Sequence, residues 1–179
     1  MIVGYNFLYQ YLKEDCDMWD RKFPYFIRKA RIEEWDDVMA MTWKTFVRFE
    51  AKDYTKEGVR SFFDFISDPV LQRMFLNDAY PMFVAEDRGK IIGMITLREG
   101  THISLLFVDE AYHRQGVGSS LMRTIWGFIK TEIGKEIVTV NAAPYGVGFY
   151  HKLGFEDIGP EETRDGIRYT PMKRELSKI

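Results

Sequence analysis

The chain has 179 residues, 46% of them hydrophobic and 16% aromatic, enough apolar side chain for a single domain with a sizeable core. Its 25 Lys plus Arg against 27 Asp plus Glu leave a formal charge of -2, which excludes the broad basic footprint of a general nucleic-acid binder. A lone cysteine, Cys16, excludes an internal disulfide and points to a reducing, cytoplasmic setting.

The opening MIVGYNFLYQYLKEDCDMWDRK does not read as a signal peptide, since it lacks a basic leading region and Gln10 and Lys13 interrupt its apolar residues. No stretch of the chain approaches the roughly 20 apolar residues of a membrane helix, so no membrane partner is expected. Phe7, Leu8, Tyr11 and Leu12 fall on one side of a helix. Residues 1–23 therefore read as an extension before a single domain, 24–179. The extension's apolar side could pack on that domain or on a second copy of the chain in a homodimer.

Residues 25–30 read as a short strand. From Glu33 to about Phe49, Trp35, Val38, Met39, Trp43, Phe46 and Val47 recur at helical spacing. Thr55 is placed to cap a second helix carrying Val59, Phe62, Phe63 and Ile66. Asp68 followed by Pro69 marks a third start, because proline lacks a donor that a first turn leaves unpaired anyway. The period then changes to that of strands over residues 82–86, 90–98 and 102–108, joined by short turns at Asp87-Arg88-Gly89 and Glu99-Gly100. After Gly118 the helical stripe returns with Leu121, Met122, Ile125, Trp126 and Ile129, and Gly134 closes it. Residues 137–141 form a β-branched strand, Phe149, Tyr150 and Leu153 a short helix, 159–166 a polar loop and 167–173 a last strand. Helices, an antiparallel meander, then strand–helix–strand–helix–strand make a mixed α+β sheet domain.

Between the third meander strand and the helix that follows it lies HRQGVGSSLM, His113 to Met122. Glycine weakens a helix by roughly 1 kcal/mol against alanine, so two glycines at a helix start need a reason. A helix start offers unpaired N–H groups and partial positive charge, and glycine leaves them open to an anion such as phosphate. The amides of Gly116, Val117, Gly118 and Ser119 would form the cradle, with Arg114 and Ser119 adding donors. The stretch lacks the Lys that a Walker loop places after its second glycine, and Leu121 stands where a dinucleotide fingerprint has its third glycine.

LLFVDEAYHRQGVGSSLM resembles the acetyl-CoA-binding signature of the GCN5-related N-acetyltransferases (GNAT family), Gln or Arg, two residues, Gly, one residue, then Gly or Ala. This chain departs from it at the first position, His113. VNAAPYGVGFYHKLGFE, Val140 to Glu156, resembles the same family's later motif. The likeness covers most of the chain beyond residue 23. It implies a mostly antiparallel central sheet that splays open, flanked by helices. It also implies an acyl-CoA N-acyltransferase, with acetyl-CoA as cosubstrate, no metal, and a small-molecule or peptide amine as partner.

Residue by residue, the resemblance puts the pyrophosphate on Arg114, Gln115, Gly116, Val117, Gly118 and Ser119. It runs the pantetheine arm along Leu106, Phe107 and Val108, which also read as a core strand, and brings Asn141 to the arm from the next strand. Tyr150 matches the family tyrosine beside the thioester sulfur, where a phenol can protonate the departing thiolate. A base for the amine maps to His102, with Ser104 on the same strand face; a half-buried structural histidine is the alternative there. Glu50 is a further candidate for binding a cationic substrate. A rival to the enzyme reading is a CoA-binding regulatory or interaction module that has lost catalysis.

Overall fold

The computed structural model describes residues 24–176. The extension read over residues 1–23, with Cys16, lies outside the described residues. The strands are β1 (Phe26–Lys29), β2 (Met82–Asp87), β3 (Lys90–Arg98), β4 (His102–Val108), β5 (Ile137–Ala142), β6 (Glu156–Asp157), β7 (Glu162–Arg164) and β8 (Ile167–Glu175). The helices are α1 (Trp35–Phe49), α2 (Lys56–Ile66), α3 (Pro69–Leu76), α4 (Val117–Phe128) and α5 (Val147–Lys152). One mixed sheet runs β1-β2-β3-β4-β5-β8-β6, with β7 paired to β8. Every pairing is antiparallel except β4 with β5.

Local chemistry sets the helix ends. Thr55 caps α2 by accepting from the Gly58 N–H at 3.1 Å, and Asp68 caps α3 by accepting from the Val70 N–H at 2.7 Å with Pro69 in the first turn. A single π-type turn, Ile129–Ile133, extends α4, and Gly134 ends it in the left-handed region at φ 70°. The strands β6 and β7 fall in and beside the stretch read as a polar loop. Both are short and fully exposed, so no apolar alternation marks them. Among the described residues no helix is long and apolar enough to cross a membrane.

The sheet separates two apolar layers. On one face Leu121, Met122, Ile125 and Ile129 of α4 pack with Ile92, Ile95, Val138 and Val140. On the other, Val38 and Phe46 of α1, Phe62 of α2 and Leu71 of α3 pack with Val84, Met94, Leu105 and Phe107. Strand β4 serves both layers because of one irregularity. Leu97 pairs with Ile103 and Thr96 with Leu105, so Ser104 is an extra residue with no partner in the register. The bulge reverses the alternation: Ile103 joins the α4 layer, whereas Leu105 and Phe107 join the α1–α3 layer. A buried network braces it, in which Thr96 Oγ1 donates to the Tyr80 hydroxyl, Tyr80 donates to Ser104 Oγ, each at 2.8 Å, and the Leu105 N–H donates to Thr96.

Candidate active site

Strands β4 and β5 start side by side and then part. Their register holds at His102↔Thr139 and Ile103↔Val140 and stops there, at the bulge. Beyond it, β4 from Ser104 to Val108 and β5 at Asn141 and Ala142 diverge into a cleft. Leu106 and Val108 send their side chains into the α4 layer and Phe107 into the α1–α3 layer, so the main chain faces the gap. The side chains of this strand therefore fill core, while beyond Ile103 its edge on the β5 side has no partner strand. The Val108 carbonyl is the exception, since His113 Nε2 lies 2.8 Å from it. That contact is the role of the residue that departs from the motif.

At the far end of β4 the chain passes a 3₁₀ turn, Glu110–Tyr112, and enters α4 through the glycine turn. The first backbone bond of α4 is Ser120 N–H to Gly116 O at 3.0 Å, which leaves the N–H groups of Val117, Gly118 and Ser119 ahead of it, and no side chain caps this end. The two glycines do different work. Gly116 sits at φ 85°, a left-handed conformation that only glycine adopts cheaply, and a Cβ there would meet nothing within 4 Å. Gly118 has no such requirement; a Cβ on it would lie 3.3 Å from the Phe149 ring, so its bareness lets α5 approach α4. Arg114 also lies at positive φ, 61°. The side chain of Gln115 is engaged with the protein, donating to Ala111 O at 2.8 Å and accepting from the Tyr25 hydroxyl. What Gln115 can offer a ligand is therefore its amide.

Across the cleft, α5 carries Tyr150, 7% exposed, whose ring packs edge-on against Phe149 and Phe155. Burial pushes its phenol well above the usual tyrosine range, and the charge of Glu50 adds to the shift. Glu50 itself follows the last residue of α1. Burial raises its carboxyl to about 7, against a hydrogen bond from Tyr54 that favours the charged form; Asp53 adds a smaller upward push. The preceding residue, Phe49, has its ring 4.8 Å from His113 and 5.2 Å from Tyr145, so the end of α1 bridges the two sides of the cleft. Asn141 is exposed on β5, on the strand face opposite Val140 and Ala142.

His102 lies at the foot of the cleft. Its Nδ1 is 2.9 Å from Thr139 Oγ1 and its Nε2 is 3.2 Å from an Arg98 guanidinium nitrogen. Burial, then the charge of Arg98, brings its pKa down to about 4. The structure thus joins the end of α1, through Phe49, to His113 before the glycine turn and to Tyr145 before α5, and holds both ring nitrogens of His102. Ser104 turns to Tyr80 instead of joining His102.

A family model for the acetyltransferase (GNAT) domain matches residues 50–176. The chain belongs to the GNAT acetyltransferases. It is 29% identical over 144 residues to the peptidyl-lysine N-acetyltransferase YjaB of Salmonella typhimurium, covering 78% of this chain and 88% of that protein. A GCN5-related N-acetyltransferase from Rhodopseudomonas palustris shares the fold at a TM-score of 0.73 with 21% identity, covering 84% of this chain and 95% of that one. The PaiA N-acetyltransferase of Thermoplasma acidophilum, solved with coenzyme A, does so at 0.70 with 20% identity, covering 84% and 98%. This GNAT chain is an acetyltransferase by descent, and the splayed, mostly antiparallel sheet flanked by helices is the fold the family motifs imply.

One long-range contact, between α2 and the β7–β8 hairpin, left no mark in the sequence. The start of α2 docks on the tip of the β7–β8 hairpin, with Thr55 N–H to Gly166 O at 3.4 Å and Ser61 Oγ donating to Asp165 O at 3.2 Å. A Cβ on Gly58 would lie 2.2 Å from Gly166 O, so the two backbones touch. The available signals were a glycine in the first turn of a helix and a Asp165-Gly166 turn pair, with nothing to link them.

Proposed function

We propose that this protein moves an acetyl group from acetyl-CoA directly onto an amine, with no covalent enzyme intermediate. The observation that carries the reading is the parting of β4 from β5 beside an uncapped helix start, with Tyr150 on the opposite side of the gap. The donors of residues 114–119 would grip the pyrophosphate. The open edge of 106–108 would pair with the pantetheine arm, and Asn141 would meet that arm from β5. Binding along a backbone edge orients the thioester without consuming side chains that must pack the core.

The chemistry of the leaving group favours Tyr150. Acyl transfer expels a thiolate, and a phenol whose burial keeps it protonated can supply a proton or hydrogen bond to that sulfur. The Salmonella relative is named for peptidyl-lysine, which supports an amine on a lysine-like chain as acceptor here too. A cytoplasmic setting rests on the composition, with its single cysteine.

The test is release of free CoA thiol from acetyl-CoA across a panel of polyamines, amino acids, aminoglycosides and lysine peptides. Turnover with at least one amine is expected, and Tyr150→Phe lowers kcat about 100-fold while acetyl-CoA affinity stays within about twofold. An unchanged kcat when chemistry limits the rate removes Tyr150 from the mechanism. Silence across the panel removes the transferase reading.

A further inference from the structure

A row of side chains crosses the sheet at the foot of the cleft. Arg98 pairs in register with His102, His102 with Thr139, and Thr139 with Lys173, one residue from each of β3, β4, β5 and β8. Their chain neighbours Leu97, Ile103, Val138, Val140 and Met172 all pack in the α4 layer. Strand alternation therefore turns the row to the opposite side, the side of α1–α3. All four residues are half-buried. Asn141, two residues beyond Thr139 on β5, shares that face.

The hydrogen-bonding character of the row is one-sided. An arginine can only donate, so Arg98 Nη2, 3.2 Å from His102 Nε2, fixes that ring nitrogen as an acceptor. The ring proton then sits on Nδ1 and is donated to Thr139 Oγ1 at 2.9 Å, which leaves the Thr139 hydroxyl proton to be donated elsewhere. The Arg98 Nε–H is buried without a partner among the described residues. Among those residues neither Arg98 nor Lys173 forms an ion pair, whereas Arg28, a half-buried arginine on β1, is held by both Glu34 and Glu86. Two carboxylates adjoin the row, Glu99 in the turn after Arg98 and Glu156 opposite Lys173, and both are exposed. A guanidinium, a hydroxyl and an ammonium in line, each with donors to spare, make a site for an oxyanion.

We propose that Arg98 and Lys173 bind an oxyanion carried by the acceptor, so that the acceptor is an amine with a carboxylate at its other end. This rests on the transferase reading above. In that reading the arm runs down β4 from Val108 to Leu106, which brings the thioester to the bulge at Ser104. The row is what the sheet presents next on the side of α1–α3. His102 lies two residues from Ser104, about 6.6 Å along the strand, so about four to six bonds separate the acceptor's amine from its carboxyl carbon. The guanidinium keeps its remaining N–H groups for the carboxylate, and Lys173 adds charge from the far side of Thr139. An amine without the anion leaves Arg98 as it stands and gains nothing from the row.

The experiment measures thiol release from acetyl-CoA with matched acceptors: γ-aminobutyrate, 5-aminovalerate and Nα-acetyl-lysine, each against its own carboxamide. Wild type is compared with Arg98→Gln, Arg98→Lys and Lys173→Gln. At least one acid is expected to exceed its amide about 10-fold in kcat/KM, with the difference carried by KM. Arg98→Gln should raise KM for that acid about 10-fold and so erase the preference, while KM for the amide and the affinity for acetyl-CoA stay within about twofold. Arg98→Lys, which restores the charge without the planar fork, should recover part of the loss, and Lys173→Gln should cost the acid about threefold. Should Arg98→Gln disturb folding, Lys173→Gln carries the test through the same split between acid and amide. Turnover in which no acid outruns its amide overturns this proposal and leaves the transferase reading standing. So does a preference that survives both Arg98→Gln and Lys173→Gln. No turnover of any amine, spermidine included, overturns both.

Discussion

The two sides of the cleft are built on different principles. On the side proposed for the cofactor, β4, the glycine turn, α4, β5 and α5 lie close together in sequence, and what they offer is largely main chain: open amides before Ser120 and an unpaired strand edge. On the side proposed for the acceptor, α1, α2 and the β7–β8 hairpin meet across long separations, 104 residues for Ser61 with Asp165, and what they offer is side chains. Main-chain recognition demands glycine at set positions and so leaves a readable motif. A wall made of side chains from distant segments can be changed piece by piece, and it leaves none.

If the halves are separable, disturbing one should spare the other. The largest effect is expected at the root of α1, where Arg28 grips Glu34 through two bonds of 2.8 and 2.7 Å and Glu86 at 2.6 Å. Removing Glu34 leaves a largely buried guanidinium with Glu86 as its remaining carboxylate, and Glu34→Ala should lose about 3 kcal/mol in denaturant unfolding at pH 7. The hydrogen bond from Arg28, reinforced by Arg31, holds the Glu34 carboxyl down at about 2. Its contribution is therefore complete above about pH 4.5 and disappears as pH falls through 2, so wild type and Glu34→Ala should converge in acid.

Gly58→Ala comes next. Its Cβ would strike the Gly166 carbonyl, which is backbone and cannot swing aside, so about 2 kcal/mol of stability should be lost as the hairpin is pushed away. The amine KM should rise several-fold with acetyl-CoA affinity, read by calorimetry, nearly unchanged. An equal loss of both affinities would show that the halves are one unit.

Gly116→Ala inverts the pattern. Its cost is conformational, about 1 kcal/mol for holding an L side chain at φ 85°, and acetyl-CoA binding should weaken several-fold with the amine KM unmoved. The smallest effect is expected for Gly118→Ala. The Phe149 ring must yield a few tenths of an ångström, but alanine is the better helix former, so net stability should stay within about 0.5 kcal/mol. A large loss there would mean that Phe149 cannot move.

The same division governs what the sequence disclosed. The meander, the α4 stripe and both motifs are local patterns, each readable within a single stretch of chain. Tyr150 and His113 could be named singly, but the contacts that seat them, the Phe155 ring for one and the Val108 carbonyl for the other, are tertiary facts. The alternation rule gave His102 and Ser104 one shared face; the bulge that sends Ser104 to Tyr80 has no signature in composition or period. β7 escaped for a plainer reason, since Glu162, Thr163 and Arg164 are all exposed and carry no apolar alternation.

The odd residue at position 104 ties together two properties that look independent. Without it, Leu105 and Phe107 would swap layers, the Tyr80 brace would lose its acceptor, and β4 would run on flush against β5. The opening and the inside-out packing of that strand are a single choice of chain length. A lineage could not seal the groove by trimming one amino acid without also turning a core strand over.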